Sequence, residues 1–183
     1  MRDGKKDLTI NDNIYLVGFM AAGKSTVGKL LAQQTGREYF DTDELVERRV
    51  GETIPEIFQK YGEEPFRDFE AEIIADIARK TRAVIALGGG AILRPQNRDR
   101  IMRSGVSIYL KWNLKTLLRR LQTQHNRPLA DQKNGNFGET RIERLFESRS
   151  ECYERADFVV NCVDGMSPEK VAEQILCKLE TEK

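Results

Sequence analysis

Between Gly18 and Thr26 the chain reads GFMAAGKST, directly after the apolar run IYLV. Gly18-x-x-x-x-Gly23-Lys24-Ser25 has the spacing of a phosphate-binding loop. In such a loop glycines let backbone N–H groups turn inward around phosphate oxygens, and the helix that follows adds its positive end. Lys24 then reaches the β and γ phosphates, and Ser25 offers its hydroxyl to Mg²⁺. The motif needs a strand before it and a helix after it, and both are legible: IYLV precedes, and the amphipathic KSTVGKLLAQQTG follows. Ala21 occupies a position that many such loops fill with glycine. If its backbone takes a positive φ, alanine is strained there.

The rest of the chain repeats the strand-then-helix alternation, which predicts a parallel sheet flanked by helices. Strands are expected at NIYLVG, EYFD, AVIALG, VSIYLK and DFVVN, with helices starting near Lys24, Asp43, Thr53, Glu63, Pro95, Asn113, Glu139 and Ser167. With 183 residues, one domain is the economical expectation, with residues 1–12 as a flexible leader. The polar connection QTQHNRPLADQKNGNFG, residues 122–138, is long for a structureless loop, and such loops often serve as active-site lids. Thirty basic residues against twenty-nine acidic ones, with no basic run, argue against nucleic acid as a partner. The charged opening is no signal peptide, and no apolar run approaches the roughly 20 residues that span a bilayer. Three widely spaced cysteines, Cys152, Cys162 and Cys177, suit a reducing cytoplasm better than a disulfide framework or a metal site.

A phosphate loop alone does not choose a reaction. The N-K-x-D that reads guanine in common switch GTPases is absent. At the end of the second strand, FDTD brings Asp41 and Asp43 two residues apart, which on an extended chain places them on one face. Ligands of open parallel sheets bind beyond the carboxyl ends of the strands, so two carboxylates there can serve Mg²⁺ and a substrate hydroxyl. Against this, Asp41 and Glu44 have capping-box spacing, which equally suits Asp41 as a helix cap. After the third strand, Gly88-Gly89-Gly90 exposes bare backbone where a ligand can approach closely. Arg149 falls inside the helical stripe of Ile142, Leu145, Phe146 and Tyr153. A guanidinium on that inward face needs a partner, either an internal carboxylate or an anionic substrate. Arg67 borders the stripe of Phe66, Phe69, Ile73 and Ile77, and two such arginines suit a carboxylate substrate.

The phosphate loop, DTD, FRDFE, LGGGAI and NRPL stand in the order and approximate spacing of shikimate kinases, and the chain resembles that family from about Asn13 to Leu179. The resemblance implies a three-layer P-loop kinase fold similar to that of nucleoside monophosphate kinases, with a five-stranded parallel sheet and a mobile lid. It implies an enzyme that uses ATP and Mg²⁺ to phosphorylate the 3-hydroxyl of shikimate in aromatic amino-acid biosynthesis; a cytoplasmic monomer is the accompanying expectation. On matching motifs, ATP would lie on Ala21, Ala22, Gly23, Lys24, Ser25 and Thr26, with Arg120 against the adenine. Asp43 would be the base, assisted by Lys24 and by Arg127 from the lid. Ser25, and Asp41 through water, would hold the metal. Asp43, Arg67, Gly88, Gly89, Gly90 and Arg149 would bind shikimate. Ala21, and a lid reading RPLA where RPLL is commoner, depart from the pattern. Two alternatives stand beside this reading: a kinase for another small hydroxy acid such as gluconate, and a silent nucleotide-binding module.

Overall fold

A computed structural model describes residues 12–181 apart from 124–134, with the backbone alone at 135–138. Five strands, β1 (Asn13–Val17), β2 (Glu38–Asp41), β3 (Ala83–Ala86), β4 (Gly105–Lys111) and β5 (Phe158–Asn161), form one sheet in the order β2-β3-β1-β4-β5. Every pairing is parallel, with Leu16 level with Ala86 on one side and with Ile108 on the other. The three inner strands are buried almost throughout, because helices cover both faces of a parallel sheet. This is why IYLV and AVIA read as apolar runs and not as alternating ones.

Among the described residues eight α-helices connect or flank the strands: α1 (Lys24–Thr35), α2 (Thr42–Val50), α3 (Ile54–Tyr61), α4 (Glu63–Ile77), α5 (Pro95–Ser104), α6 (Leu114–Thr123), α7 (Gly135–Glu154) and α8 (Pro168–Thr181). Their ends carry local signals. Gly36 and Gly51 close α1 and α2 in the left-handed conformation, which glycine adopts without steric cost. The Thr53 N–H donates to Glu56 Oε2 at 2.8 Å to open α3. The strands match the expected segments, and most helices begin within one residue of expectation.

Two stretches differ. α7 opens at Gly135, and α6 runs through Thr123, so only residues 124–134 of the expected lid lie between helices. Those residues, with Arg127, are outside the described ones. So is the expected leader, apart from Asp12.

The connections from β1 run first to β2 and β3 on one side and later to β4 and β5 on the other. β1 therefore stands at the topological switch point, where crevices form beyond the carboxyl ends of the strands. At that edge stand the phosphate loop after β1, Asp41 ending β2, the three glycines after β3, and Trp112 after β4.

Candidate active site

The carboxyl edge of the sheet opens onto a cleft of about 400 Å³, within the range of small-molecule sites. The phosphate loop forms one wall, with Gly23, Lys24, Ser25 and Thr26 lining it. Its backbone carries positive φ at Gly18 (145°), Ala21 (60°) and Gly23 (85°). The strain anticipated at Ala21 is thus present, since the left-handed region costs a residue with a Cβ about 1–2 kcal/mol. Lys24 Nζ spans the loop, donating to the Gly18 carbonyl at 2.8 Å and the Phe19 carbonyl at 3.0 Å. That places an ammonium where phosphate oxygens would meet the loop.

Beside the loop, Ser25 Oγ donates to Asp41 Oδ2 at 2.7 Å, and the Tyr39 hydroxyl reaches the same oxygen at 3.2 Å. Asp41 Oδ1 accepts the Asp43 N–H at 3.0 Å. Asp41 is therefore the cap of α2 and the partner of Ser25 together; the two sequence readings are not exclusive. Glu44, suggested by the capping-box spacing, lies 3.7 Å from Lys29. A hydroxyl and a carboxylate are hard oxygen donors of the kind Mg²⁺ takes. That ion commonly completes its shell with water and substrate phosphates, and no cluster of three His, Cys, Asp or Glu residues exists among the described ones. The residues present fit Mg²⁺ held largely by its other ligands.

Asp43 corrects one expectation. The strand ends at Asp41 and α2 begins at Thr42, so the two aspartates do not share a strand face. The cap at Asp41 turns the chain, and Asp43 lines the cleft from a helix's first turn. Thr42, buried between them, accepts the Gly88 N–H on its Oγ1 at 2.8 Å and ties this turn to the triple glycine.

The triple glycine makes room for side chains as well as for a ligand. A Cβ at Gly88 would stand 2.5 Å from Asp43 Oδ1 and 2.6 Å from Glu70 Oε1, and one at Gly90 would strike the Arg67 guanidinium. Arg67 donates to Glu70 Oε2 at 3.0 Å and to Glu63 Oε1 at 3.2 Å. It lines the cleft as expected, but already paired with two carboxylates.

Arg149 differs from Arg67. It is 8% exposed, lies beside Gly89, and forms no ion pair with a carboxylate among the described residues; its Nε has no hydrogen-bond partner there. Its contact is the Tyr153 hydroxyl, which donates to the Gly89 carbonyl at 2.5 Å. Glu70, 1% exposed, leaves Oε1 unpartnered. Burial raises its carboxyl to about 6, while the neighbouring Arg67 draws it down. The cleft thus holds a guanidinium without a direct ion pair among the described residues, within electrostatic reach of Glu70 and next to glycine backbone.

The sequence reading assigned no role to Glu70, Thr42, Tyr39 or Tyr153. Glu70 had a signal, lying three residues after Arg67 and three before Ile73 on the inward side of α4. Tyr153 reads only as a core aromatic, and Thr42 only as a spacer. Arg120 stands at the loop's far side. Its guanidinium lies 3.7 Å over the Trp112 ring, and Nη1 reaches the Ala21 carbonyl at 3.4 Å. Arg119 points away, paired with Asp164.

A sequence model of the shikimate kinase family matches residues 20–180. The shikimate kinase of Thermodesulfovibrio yellowstonii is 44% identical over 168 residues, 92% of this chain and 95% of that protein. The chain belongs to the shikimate kinase family. A solved shikimate kinase of Acinetobacter baumannii in complex with shikimate superposes with a TM-score of 0.87 at 36% identity, over 94% of this chain and 95% of that one. A gluconokinase from Sinorhizobium meliloti 1021 covers 94% of this chain and 93% of its own at TM-score 0.55 and 17% identity. That likeness concerns the fold alone and gives no support to gluconate as acceptor. Membership makes this chain an ATP-dependent small-molecule kinase on a P-loop fold.

Proposed function

We propose that this chain transfers the γ-phosphoryl group of ATP to the 3-hydroxyl of shikimate, with the cleft described above as the site. One observation carries the assignment of the acceptor side: Arg149, buried in the cleft wall with its Nε unpartnered and no direct ion pair among the described residues, is matched to an acid as substrate. Binding shikimate's carboxylate there would supply the direct ion pair that Arg149 lacks, with Arg67 adding a second guanidinium held in place by Glu63 and Glu70. Asp43 and the Gly88–Gly90 backbone would then meet the ring hydroxyls.

Phosphoryl transfer asks for alignment and charge stabilisation more than for covalent chemistry. In this reading Asp43 accepts the proton of the attacking hydroxyl. Lys24 turns from the loop carbonyls to the β and γ phosphates, and Ser25 and Asp41 hold Mg²⁺. When bound, the ion neutralises charge building on the phosphate oxygens. Arg127 would act over the same phosphates, and Arg120 would lie against adenine. The balanced charge, the absence of a membrane-crossing helix among the described residues, and three free cysteines support a cytoplasmic enzyme without nucleic-acid partners. We take it to act as a monomer.

ADP release measured with ATP and Mg²⁺ tests the reading. Turnover should be far faster with shikimate than with gluconate, a nucleoside monophosphate or water alone. Equal rates across that panel would sink the assignment, and a preference for gluconate would replace it with the other hydroxy-acid kinase.

A further inference from the structure

Trp112 is the chain's one tryptophan. It follows β4 in the core, 3% exposed, where an apolar residue without a hydrogen-bonding group would also pack. Its indole Nε1 nevertheless donates to the Ala22 carbonyl of the phosphate loop at 3.0 Å. The same ring carries the Arg120 guanidinium 3.7 Å above it, and Arg120 Nη1 reaches the carbonyl of the preceding residue, Ala21, at 3.4 Å. Two consecutive loop carbonyls are therefore held by one stacked pair of side chains, the geometry in which a cation over an aromatic face is attracted to it.

We infer that Trp112 is a positioning residue for the nucleotide, which holds the phosphate loop in its strained shape and sets Arg120 in place. The inference rests on the reading that this loop binds ATP. A peptide unit is planar and trans, so a carbonyl and the N–H of the next residue point in opposite directions. Holding the Ala22 carbonyl toward Trp112 in the core turns the Gly23 N–H the other way, and Gly23 lines the cleft. Loops of this kind bind phosphate through such inward N–H groups. The anchor matters more here than in a glycine-rich loop, because Ala21 sits at φ 60°. Conformations of that kind persist only where the surroundings over-determine them. The Arg120 contact holds the strained residue's own carbonyl, and the indole N–H holds the next one. The Ala22 N–H, on the same peptide as the Ala21 carbonyl, bonds back to the Phe19 carbonyl at 3.2 Å and closes the turn around Ala21.

The test compares wild type with Trp112→Phe, which keeps a ring for Arg120 and much of the core volume but loses the donor. ADP with Mg²⁺ and shikimate are each titrated by calorimetry, KM for ATP is measured, and thermal melts are recorded without ligand. Trp112→Phe should weaken ADP binding and raise KM for ATP by about three- to tenfold, the usual worth of one buried hydrogen bond. Shikimate affinity should stay within about twofold. Adding Ala21→Gly should restore most of the lost nucleotide affinity, because glycine holds the left-handed conformation without an anchor. Unchanged nucleotide affinity in Trp112→Phe would overturn the inference. Equal losses for ADP and shikimate would do so too, since they mark a general loosening of the core, as would failure of Ala21→Gly to rescue. Lys24→Ala, titrated in parallel, separates the two levels: if it binds ADP as wild type does, the loop is not the nucleotide site and the functional reading itself fails.

Discussion

A buried arginine on α7 and a buried glutamate on α4, lining the same cleft, make opposite statements about what the ligand-free protein lacks. Arg149 has its charge in place and no direct ion pair among the described residues, with Glu70 acting on it only at longer range. Truncation to alanine should weaken shikimate binding by about 2–5 kcal/mol, the cost of deleting one member of a buried charge pair. Unfolding without ligand should change little, since Glu70 keeps its direct pair with Arg67 and no ion-paired carboxylate is stranded. Arg149→Lys keeps the charge but not the planar fork and should also bind weakly. A chemical denaturation curve and a shikimate titration on both variants check this. A strongly destabilised Arg149→Ala protein with normal shikimate affinity would show that the guanidinium is structural.

Glu70 has the reverse problem: its carboxylate is buried beyond what Arg67 and, more weakly, Arg149 compensate, so its pKa rises from 4.5 to about 6. A raised carboxyl favours the folded state while it is protonated. That contribution is complete below about pH 4.5 and is lost as pH climbs through about 6. The shift corresponds to about 2 kcal/mol. Relative to Glu70→Gln, wild type should lose about that much stability between roughly pH 4 and pH 7.5, read from urea melts of both proteins at both values. A relative gain for wild type over that interval would contradict the assignment.

Secondary-structure elements meet at this site through few bonds, and the one from Gly88 to Thr42 joins the turn after β3 to the start of α2. Thr42→Val preserves shape and burial but leaves the Gly88 N–H without its acceptor. An unsatisfied buried donor costs about 1–3 kcal/mol, so the variant should unfold that much more easily. Because the bond also keeps Gly88 beside Asp43 and Glu70, kcat with shikimate should fall while ADP affinity holds. Stability measurements together with steady-state kinetics decide it. Loss of stability with kcat intact would mean that the turn and the aspartate are positioned independently. At the same scale, the start of α2 shows how a cap reshapes a site: Asp41 stops the strand, and Asp43 enters the cleft from the helix.

Across the whole molecule, what was legible in the sequence is what local rules govern. Apolar strand runs, glycine stops and the alternation of strands with helices follow from backbone conformation and burial over short windows, and they led to the parallel sheet and to the element order. The phosphate loop was legible for the same reason, being nine consecutive residues between a strand and a helix. The inward stripes of α4 and α7 placed Arg67 and Arg149 correctly because helical periodicity alone decides which side of a helix meets the core. Tertiary structure decided the partners. Ala22 and Trp112 are separated by 90 positions, Thr42 and Gly88 by 46, and Gly89 and Tyr153 by 64. No periodicity connects positions that far apart. Whether Arg149 met a carboxylate, whether Arg67 was already paired, and whether Ala21 took a positive φ all depended on which groups the folded chain carried into contact. A buried charge or a strained peptide is defined by its neighbours in space, and those are settled only when the sheet order closes the cleft.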